Sequence, residues 1–527
     1  MIQPDTGGLY HPNNEAEVIE LVEHAIDKGL HVRVRGAAQS VKSSVFTDDF
    51  DPSKEPPGNN INIELDQLRA VNYLPGMQVT VGGGCNLGYD PFDPSETSSK
   101  NESNNLFFQL NQKGLSIKNV PNAIHQTVAG YISTGSSGGT MQHSFDESIL
   151  AIRIVDGTAT PKTFTKSNDL DDHFYGAVVS MGLLGIIIEV TLQCVSAFDI
   201  VGQEAITHIK DCEFDFLGPG DGNKPPLKDF LANAEFSRVL WWPFKTLQRA
   251  IVWKARTMQN SDYNSTTGVP PHFVPKPYQP LFPTWGSGST LTSEAVAATC
   301  FQLIATWPDW FYELMGIDPE HPSLEQQLLI TLGETLFPVV YPLLTDLYFP
   351  CCNATHPPRV FWDNWVGSLP MDKVEYSNNL FDLVYCEMWV PANLATQTVN
   401  ILNDFYEKNG YSATGFYTVE ILAAKKSNFW LSPAFGTDVI RINILFFQKS
   451  VIKANDYFSQ FWKLLFEKGI NFRPHWGKKL PLPDSTTGTS YLKNQYPKWD
   501  NFMDLREQMD PNKIFLNNYW KAQLGIE

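Results

Sequence analysis

Two groups of residues in this chain have types and spacing suited to chemistry. The first is the run Ser133-Thr134-Gly135-Ser136-Ser137-Gly138-Gly139-Thr140. Glycines and small hydroxyl residues fill a core poorly, but glycine lets a ligand come close to the backbone. A bare row of amide N–H groups there would cradle an anion; a flexible surface linker has the same composition. The second group lies on two alternating stretches, residues 416–422 and 439–447. Period two puts Thr418, Glu420 and Leu422 on one face of the first. On the second, Arg441, Asn443 and Leu445 share one face, and Ile440, Ile442 and Ile444 the other. A lone buried carboxylate is costly, so Glu420 marks its face as something other than plain core.

Other elements must position these groups. Asn14, with Glu17 three residues on, reads as a helix start. Val18, Leu21, Val22 and Ala25 follow at helical spacing and Gly29 closes the helix. Residues 30–35 alternate, with Val32 and Val34 facing one way and His31, Arg33 and Arg35 the other, which predicts a strand. That strand runs into the turn Arg35-Gly36-Ala37-Ala38-Gln39-Ser40. A strand over 77–81 ends in Gly82-Gly83-Gly84, and further apolar runs cover 115–120 and 149–155. Gly182-Leu183-Leu184-Gly185 leads into a β-branched strand over 186–191. Glycine-marked turns therefore flank strands repeatedly. No Gly-x-Gly-x-x-Gly opens a helix and no Walker lysine motif occurs, so neither dinucleotide fingerprint nor P-loop is met.

The bulk properties narrow the classes. A chain of 527 residues exceeds one small domain, and 43% hydrophobic with 18% charged residues is globular. A net charge of −18 disfavours nucleic acid and anionic membrane surfaces. Seven scattered cysteines show no metal spacing, so no metal is expected and free thiols in a reducing compartment are. No secretory signal is visible, which predicts a cytoplasmic protein; sequons at Asn101, Asn264 and Asn353 weaken that expectation. No stretch has the apolar length of a transmembrane segment. The nearest, 327–352, carries Glu334, Asp346, Pro338 and Pro342 and is read as a buried helical cap, with a membrane-touching or dimerising patch as the alternative. Residues 264–290 read as a long loop. Residues 292–348 read as helices rich in aromatics, including Phe301, Trp307, Trp310, Phe311, Tyr312, Phe337 and Tyr341, that form a cap core.

The turn Arg35–Ser40, the triplet 82–84, Gln126-Thr127-Val128-Ala129-Gly130, Ser133-Thr134-Gly135 and the Gly182–Gly185 turn into Ile188-Glu189-Val190 occur in an order that resembles one family. It is that of the vanillyl-alcohol-oxidase or PCMH-type FAD-linked oxidases, nearest to the sugar-lactone and alditol oxidases. The resemblance implies an α+β fold. A two-subdomain FAD-binding domain (1–198) would be completed by a C-terminal segment (466–527) ending in an Asp510-Pro511…Phe515 turn. An α+β cap (199–465) would be inserted between, with its helical insertion at about 292–348. It implies FAD held by Arg35, Gly36, Ala37, Ala38, Gln39, Ser40, Gly83, Thr127, Gly130, Ser133, Thr134, Gly135, Gly138, Gly182, Gly185 and Ile188. Many relatives bond a first-turn histidine to the flavin; Gln39 stands there, which implies non-covalent FAD. His125 and His143 read as polar loop residues.

In alditol oxidases a Glu-x-Arg pair and a histidine meet the polyol. The matching positions are Glu420, Leu422 and Asn443. Only the acid is kept, which implies a less hydroxylated, more apolar substrate. Glu387, on the strand over 383–391, reads as structural. The run His475-Trp476-Gly477-Lys478 is the most specific match. It implies Lys478 beside the flavin N1/C2 edge, where a fixed ammonium stabilises the charge left by reduction; His475 would position the loop or move a proton. The catalytic set is thus Glu420, Lys478 and His475. The activity implied is oxidation of a substrate CH–OH by hydride transfer to flavin N5, with dioxygen (giving hydrogen peroxide) or another electron acceptor reoxidising the flavin. An FAD-dependent tailoring enzyme that dehydrogenates or cyclises an apolar metabolite, and a flavin-fold binding protein without turnover, are the alternatives.

Overall fold

A computed structural model describes residues 2–92, 105–262, 274–278, 316, 321, 323–371, 383–414, 419–447 and 453–527. The helix Glu15–Lys28 forms where the apolar spacing places it. Asn14 caps it by accepting the Glu17 N–H, and Gly29 ends it in the left-handed conformation, φ 64. Its buried residues Val18, Leu21, Val22 and Ala25 share a core with Val32, Ile61 and Ile63. Those belong to a small parallel sheet of Leu9–Tyr10 (β1), Val32–Arg35 (β2) and Ile61–Glu64 (β3), ordered β1-β3-β2.

Next come Val71–Leu74 (β4), Gln78–Gly82 (β5), Leu115–Ser116 (β6), Ile149–Val155 (β7), Pro161–Thr165 (β8), Ile186–Gln193 (β9) and Val195–Ser196 (β10). Five of them form an antiparallel sheet ordered β4-β5-β9-β7-β8, and β6 pairs with β10. The third large unit is an antiparallel sheet built from Asp199–His208 (β11), Phe236–Trp242 (β12), Arg249–Thr257 (β13), Arg359–Asn364 (β14), Leu383–Pro391 (β15), Val419–Ala424 (β16), Val439–Phe447 (β17) and Arg473–Pro474 (β18). Its order is β14-β11-β13-β12-β16-β17-β15-β18. Alternation gives each strand two characters. One face, through Trp241 and Phe446, packs on Tyr406 and Tyr457 of the helices Ala395–Thr414 and Ala454–Glu467. The other face looks toward the N-terminal sheets. This mixture of sheets and helices is the expected α+β class.

The last residues return to the first sheet. The Val32 N–H donates to the Ile514 carbonyl at 2.7 Å. The Asp510 carboxylate accepts the N–H groups of Ile514 and Phe515 at 2.9 and 3.0 Å, which fixes the turn.

On the face of β2 opposite Val32 and Val34, Arg33 is buried, 3% exposed. Its guanidinium donates to the carbonyls of Ser44, Met181, Gly182 and Phe515. Converging carbonyls satisfy a buried cation's donors, and burial lowers its pKa to about 10. The strand expected over 115–120 is only the two-residue β6. The stretch read as a buried cap helix forms the helix Leu324–Tyr348, capped by Ser323 and Gln326, but Leu328, Leu332, Leu336, Val339 and Leu343 are exposed. Their spacing of three and four puts them on one side of the helix, turned to solvent. Its C-terminal end is tied instead by Arg249, which donates to the Thr345 and Phe349 carbonyls and pairs with Asp346. Among the described residues no helix is long and apolar enough to cross a membrane. Phe301, Trp307, Trp310, Phe311, Tyr312, Asn101, Asn264, Thr418 and the loop 264–290, apart from 274–278, lie outside the described residues.

Candidate active site

A cavity of about 420 Å³ lies between the N-terminal turns and the free face of the large sheet. One wall is backbone. Arg35, Gly36, Ala37, Ala38, Gln39 and Ser40 line it. A Cβ on Gly36 would stand 2.3 Å from the Thr127 hydroxyl oxygen, so only glycine fits. That hydroxyl caps the helix Val128–Ser133 by accepting the Gly130 N–H at 3.2 Å. In the same first turn, the Ala129 N–H donates to the Gly83 carbonyl, and the Gly83 N–H donates to the Ile188 carbonyl on β9. Gly83, Thr127, Gly130, Ser133, Thr134, Gly182 and Gly185 thus continue the wall. Ala38 (φ 51) and Met181 (φ 53) hold left-handed backbone without being glycine, and both line the cavity. Such strain persists where its surroundings enforce it, and it clusters at ligand clamps.

Three expected cofactor contacts are packing positions instead. A Cβ on Gly135 would stand 2.8 Å from the Pro433 ring. Gly138 donates to Asn119 Oδ1 at 2.8 Å and closes on the Val120 carbonyl. Ile188 points into the core beside Val32 and Ile186.

The C-terminal loop joins the two walls. After β18, the His475 N–H donates to the Glu387 carbonyl on β15, and the Val41 N–H donates to the Gly477 carbonyl. Gly477 also lies so close to Ser40 that a Cβ would stand 2.8 Å from its hydroxyl. Lys478 reaches the cavity with its Nζ 4.5 Å from the centre of the Tyr385 ring. His475 Nδ1 accepts the Gly477 N–H at 3.1 Å, which assigns the proton to Nε2, and Nε2 donates to Ser136 Oγ at 2.9 Å. Burial pushes this imidazole down to about 4, Glu387 opposes, and Lys478 and Arg441 add to the depression. A neutral histidine bonded on both nitrogens holds the loop in place; it is a positioning residue.

The second wall is side chains. Direct partners across the antiparallel ladder share a face. Tyr385 and Glu387 on β15 oppose Leu445 and Asn443 on β17; Asn443 opposes Glu420 on β16; Glu420 opposes Leu240 on β12. All of them line the cavity, as do Leu422, Arg441, Arg238 and Trp242. Glu420 accepts from Asn443 Nδ2 at 2.9 Å and from Asn122 Nδ2 at 3.3 Å. Arg238 Nη1 stands 3.7 Å from its Oε1. At the three motif positions only the acid is kept, but the wall is not without cations: Arg238 stands beside Glu420 from the neighbouring strand, and Arg441 lines the same wall.

Glu387, read as structural, also lines the cavity and binds Arg441 Nε at 2.6 Å. Burial alone would raise its carboxyl, but Arg441, then His475 and Lys478, hold it at about 2. Arg441 donates as well to the Ser137 and Gly138 carbonyls, so it ties the small-residue run to the sheet. His125, read as a loop residue, lines the cavity; His143 lies outside it against Glu235 at 3.2 Å. The charges of Arg238 and Glu387 inside apolar strands were the available signal, but only strand order says what they face.

The donor set fits FAD. The N–H groups of Ala37, Ala38, Gln39 and Ser40 donate to no protein acceptor among the described residues, an arrangement that suits a diphosphate. The wall opposite carries a cation, Lys478, beside an aromatic ring. Among the described residues no group of His, Cys, Asp or Glu could hold a metal ion.

Known proteins share this organisation. The sequence model of the D-arabinono-1,4-lactone oxidase family matches residues 324–523. The chain is 23% identical over 521 residues to the L-gulono-1,4-lactone dehydrogenase of Mycobacterium tuberculosis, covering 98% of this chain and 96% of that one. It is 22% identical to mouse L-gulonolactone oxidase over 516 residues, covering 97% and 93%. Over a shorter stretch of 205 residues it is 30% identical to a putative D-arabinono-1,4-lactone oxidase of Neurospora crassa, covering 38% and 34%. The crystal structure of a cholesterol oxidase from B. sterolicum superposes with a TM-score of 0.68 at 16% identity, covering 98% and 94%. Family model, relatives and fold agree: the chain is similar along nearly its whole length to lactone oxidases and dehydrogenases, and its fold is that of the FAD-binding cholesterol oxidases.

Proposed function

We propose that the chain oxidises the CH–OH group of an alcohol to a carbonyl and passes the electrons to dioxygen, which leaves as hydrogen peroxide. The observation that carries this reading is the Glu420 carboxylate, held in the cavity by Asn443, Asn122 and Arg238 and facing the amide wall. Bound FAD supplies the two-electron acceptor. Glu420 orients the substrate hydroxyl and takes its proton as the carbonyl forms. Asn443 and Asn122 fix which carboxylate oxygen faces the substrate. Arg238 places a positive charge beside the carboxylate. Lys478 places positive charge where negative charge develops during transfer. The tied His475–Lys478 loop closes the cavity beside Tyr385.

The lining between these groups is apolar, through Leu240, Trp242, Leu422 and Leu445, which favours a hydrophobic alcohol. A sugar-acid lactone, as in the relatives' names, is the second reading, favoured by Arg238, Arg441 and Asn443. Anaerobic bleaching of the FAD-loaded protein by a panel of both classes separates them. Failure of every alcohol and lactone to bleach it would overturn the function. FAD is held without a covalent bond, because Gln39 carries no nucleophilic ring nitrogen. Acid precipitation should leave all flavin in the supernatant; flavin retained on the denatured chain would contradict this and direct attention to His125.

A further inference from the structure

The cavity has a second polar end that the proposed reaction does not use. Glu204 on β11 lines it, with Tyr278 and Ile251. Its Oε2 accepts the Tyr278 hydroxyl at 2.7 Å. Its Oε1 is buried and meets no hydrogen-bond partner among the described residues. Glu204 opposes Trp253 on β13, and Trp253 opposes Arg238 on β12, so Glu204 shares the cavity face with Arg238 and Glu420. Three interstrand steps separate β11 from β16, which at ~4.8 Å per step and one offset along the strands puts the Cα atoms of Glu204 and Glu420 about 15 Å apart. Between them the lining is Arg238, whose guanidinium is turned to Glu420, with Leu240 and Ile251. A buried carboxylate oxygen left unpaired is costly. Burial raises the Glu204 carboxyl, against the Tyr278 hydroxyl, Arg238 and Arg359. With Arg238 on the same face, a neutral donor suits this end better than a second cation.

We infer that Glu204 and Tyr278 form a distal substrate station, and that the substrate is an elongated, largely apolar alcohol carrying a second hydroxyl about 15 Å from the reacting one. The inference rests on the proposed function for the identity of the reacting end. Its test does not require turnover. Calorimetric titration of the FAD-loaded full chain compares decane-1,10-diol with decan-1-ol, and hexane-1,6-diol with hexan-1-ol. The expected result is that the ten-carbon diol binds about tenfold or more tightly than its mono-alcohol, the worth of a hydrogen bond to a charged group. The six-carbon diol, too short to span both carboxylates, should gain nothing over hexan-1-ol. In Glu204→Leu the ten-carbon advantage should vanish, and in Glu204→Gln, which keeps one acceptor oxygen, it should persist in part. Equal affinity of decane-1,10-diol and decan-1-ol in the wild-type protein, or an equal gain for the short diol, would overturn the station whether or not either variant folds. Binding with this pattern but without flavin bleaching would overturn the proposed function and leave the station standing.

Discussion

The two walls of the cavity are built from different materials. The N-terminal wall is backbone: glycine turns, a hydroxyl-capped helix start and a row of open amides over residues 37–40. The sheet wall is side chains, contributed one or two at a time by strands whose spatial order β11-β13-β12-β16-β17-β15 differs from chain order. A backbone wall depends on local conformation, so each piece is set by its own few residues. A side-chain wall depends on which strands become neighbours. The division also suits the chemistry: amides grip a cofactor's invariant phosphates, and side chains discriminate among substrates.

The tie between the walls gives the largest expected effect. Arg441 and Glu387 have side chains only 9% and 2% exposed. Arg441→Met strands a buried carboxylate and should cost about 3–5 kcal/mol of stability, read as a lower urea midpoint. The double variant Arg441→Met with Glu387→Leu should regain much of it. A single variant as stable as wild type would mean that the walls do not depend on this pair. Next, Lys478→Met should slow anaerobic flavin reduction by roughly 10²-fold while FAD stays bound; an unchanged rate would remove Lys478 from the sheet wall's chemistry.

The backbone wall is probed by Gly83→Ala, whose Cβ would stand 2.1 Å from the Ile187 carbonyl. Overpacking of this kind costs about 1–3 kcal/mol and should appear as a fall in melting temperature. A neutral result would mean that the turn has room it does not show.

The smallest effect concerns pH. His475 has a folded pKa of about 4, below its ordinary 6.5. The native state therefore binds fewer protons than the unfolded chain, and stability rises with pH. The His475 contribution is complete above pH 6.5 and is lost as pH falls toward 4. Glu387, held at about 2 from an ordinary 4.5, adds a second loss below that. Denaturant midpoints measured from about pH 7 down to about pH 4 should fall, and His475→Gln should flatten the upper part of the curve. An identical slope in the variant would mean that the imidazole is not held neutral.

Sequence reading recovers these walls unequally. The turn at 35–40 and the triplet at 82–84 are visible because glycine and small hydroxyl residues have few other uses there, whereas the helix Val128–Ser133 and its Thr127 cap are not read from the sequence. Period two alone places Arg441, Asn443 and Leu445 on one face, and β17 has that face. The partnership of Glu420 with Arg238 is invisible locally: 182 residues separate them in the chain, and only the β12–β16 pairing brings them together. The burial of Arg33 is hidden for a related reason. Alternation gives its face but not what covers it, and four carbonyls from distant turns converge to accept its hydrogen bonds. The row Leu328, Leu332, Leu336, Val339 and Leu343 shows the opposite failure, because apolar residues at helical spacing do not say whether anything covers them.

The most direct test joins both walls in one experiment: the rate of anaerobic flavin bleaching by a hydrophobic alcohol in wild type and Glu420→Gln, each loaded with FAD. The account predicts bleaching in wild type and retention of FAD with bleaching slowed by about 10²-fold or more in the variant, the usual weight of a general base. Equal rates in the two proteins, or a wild-type protein that takes up no FAD, would contradict it.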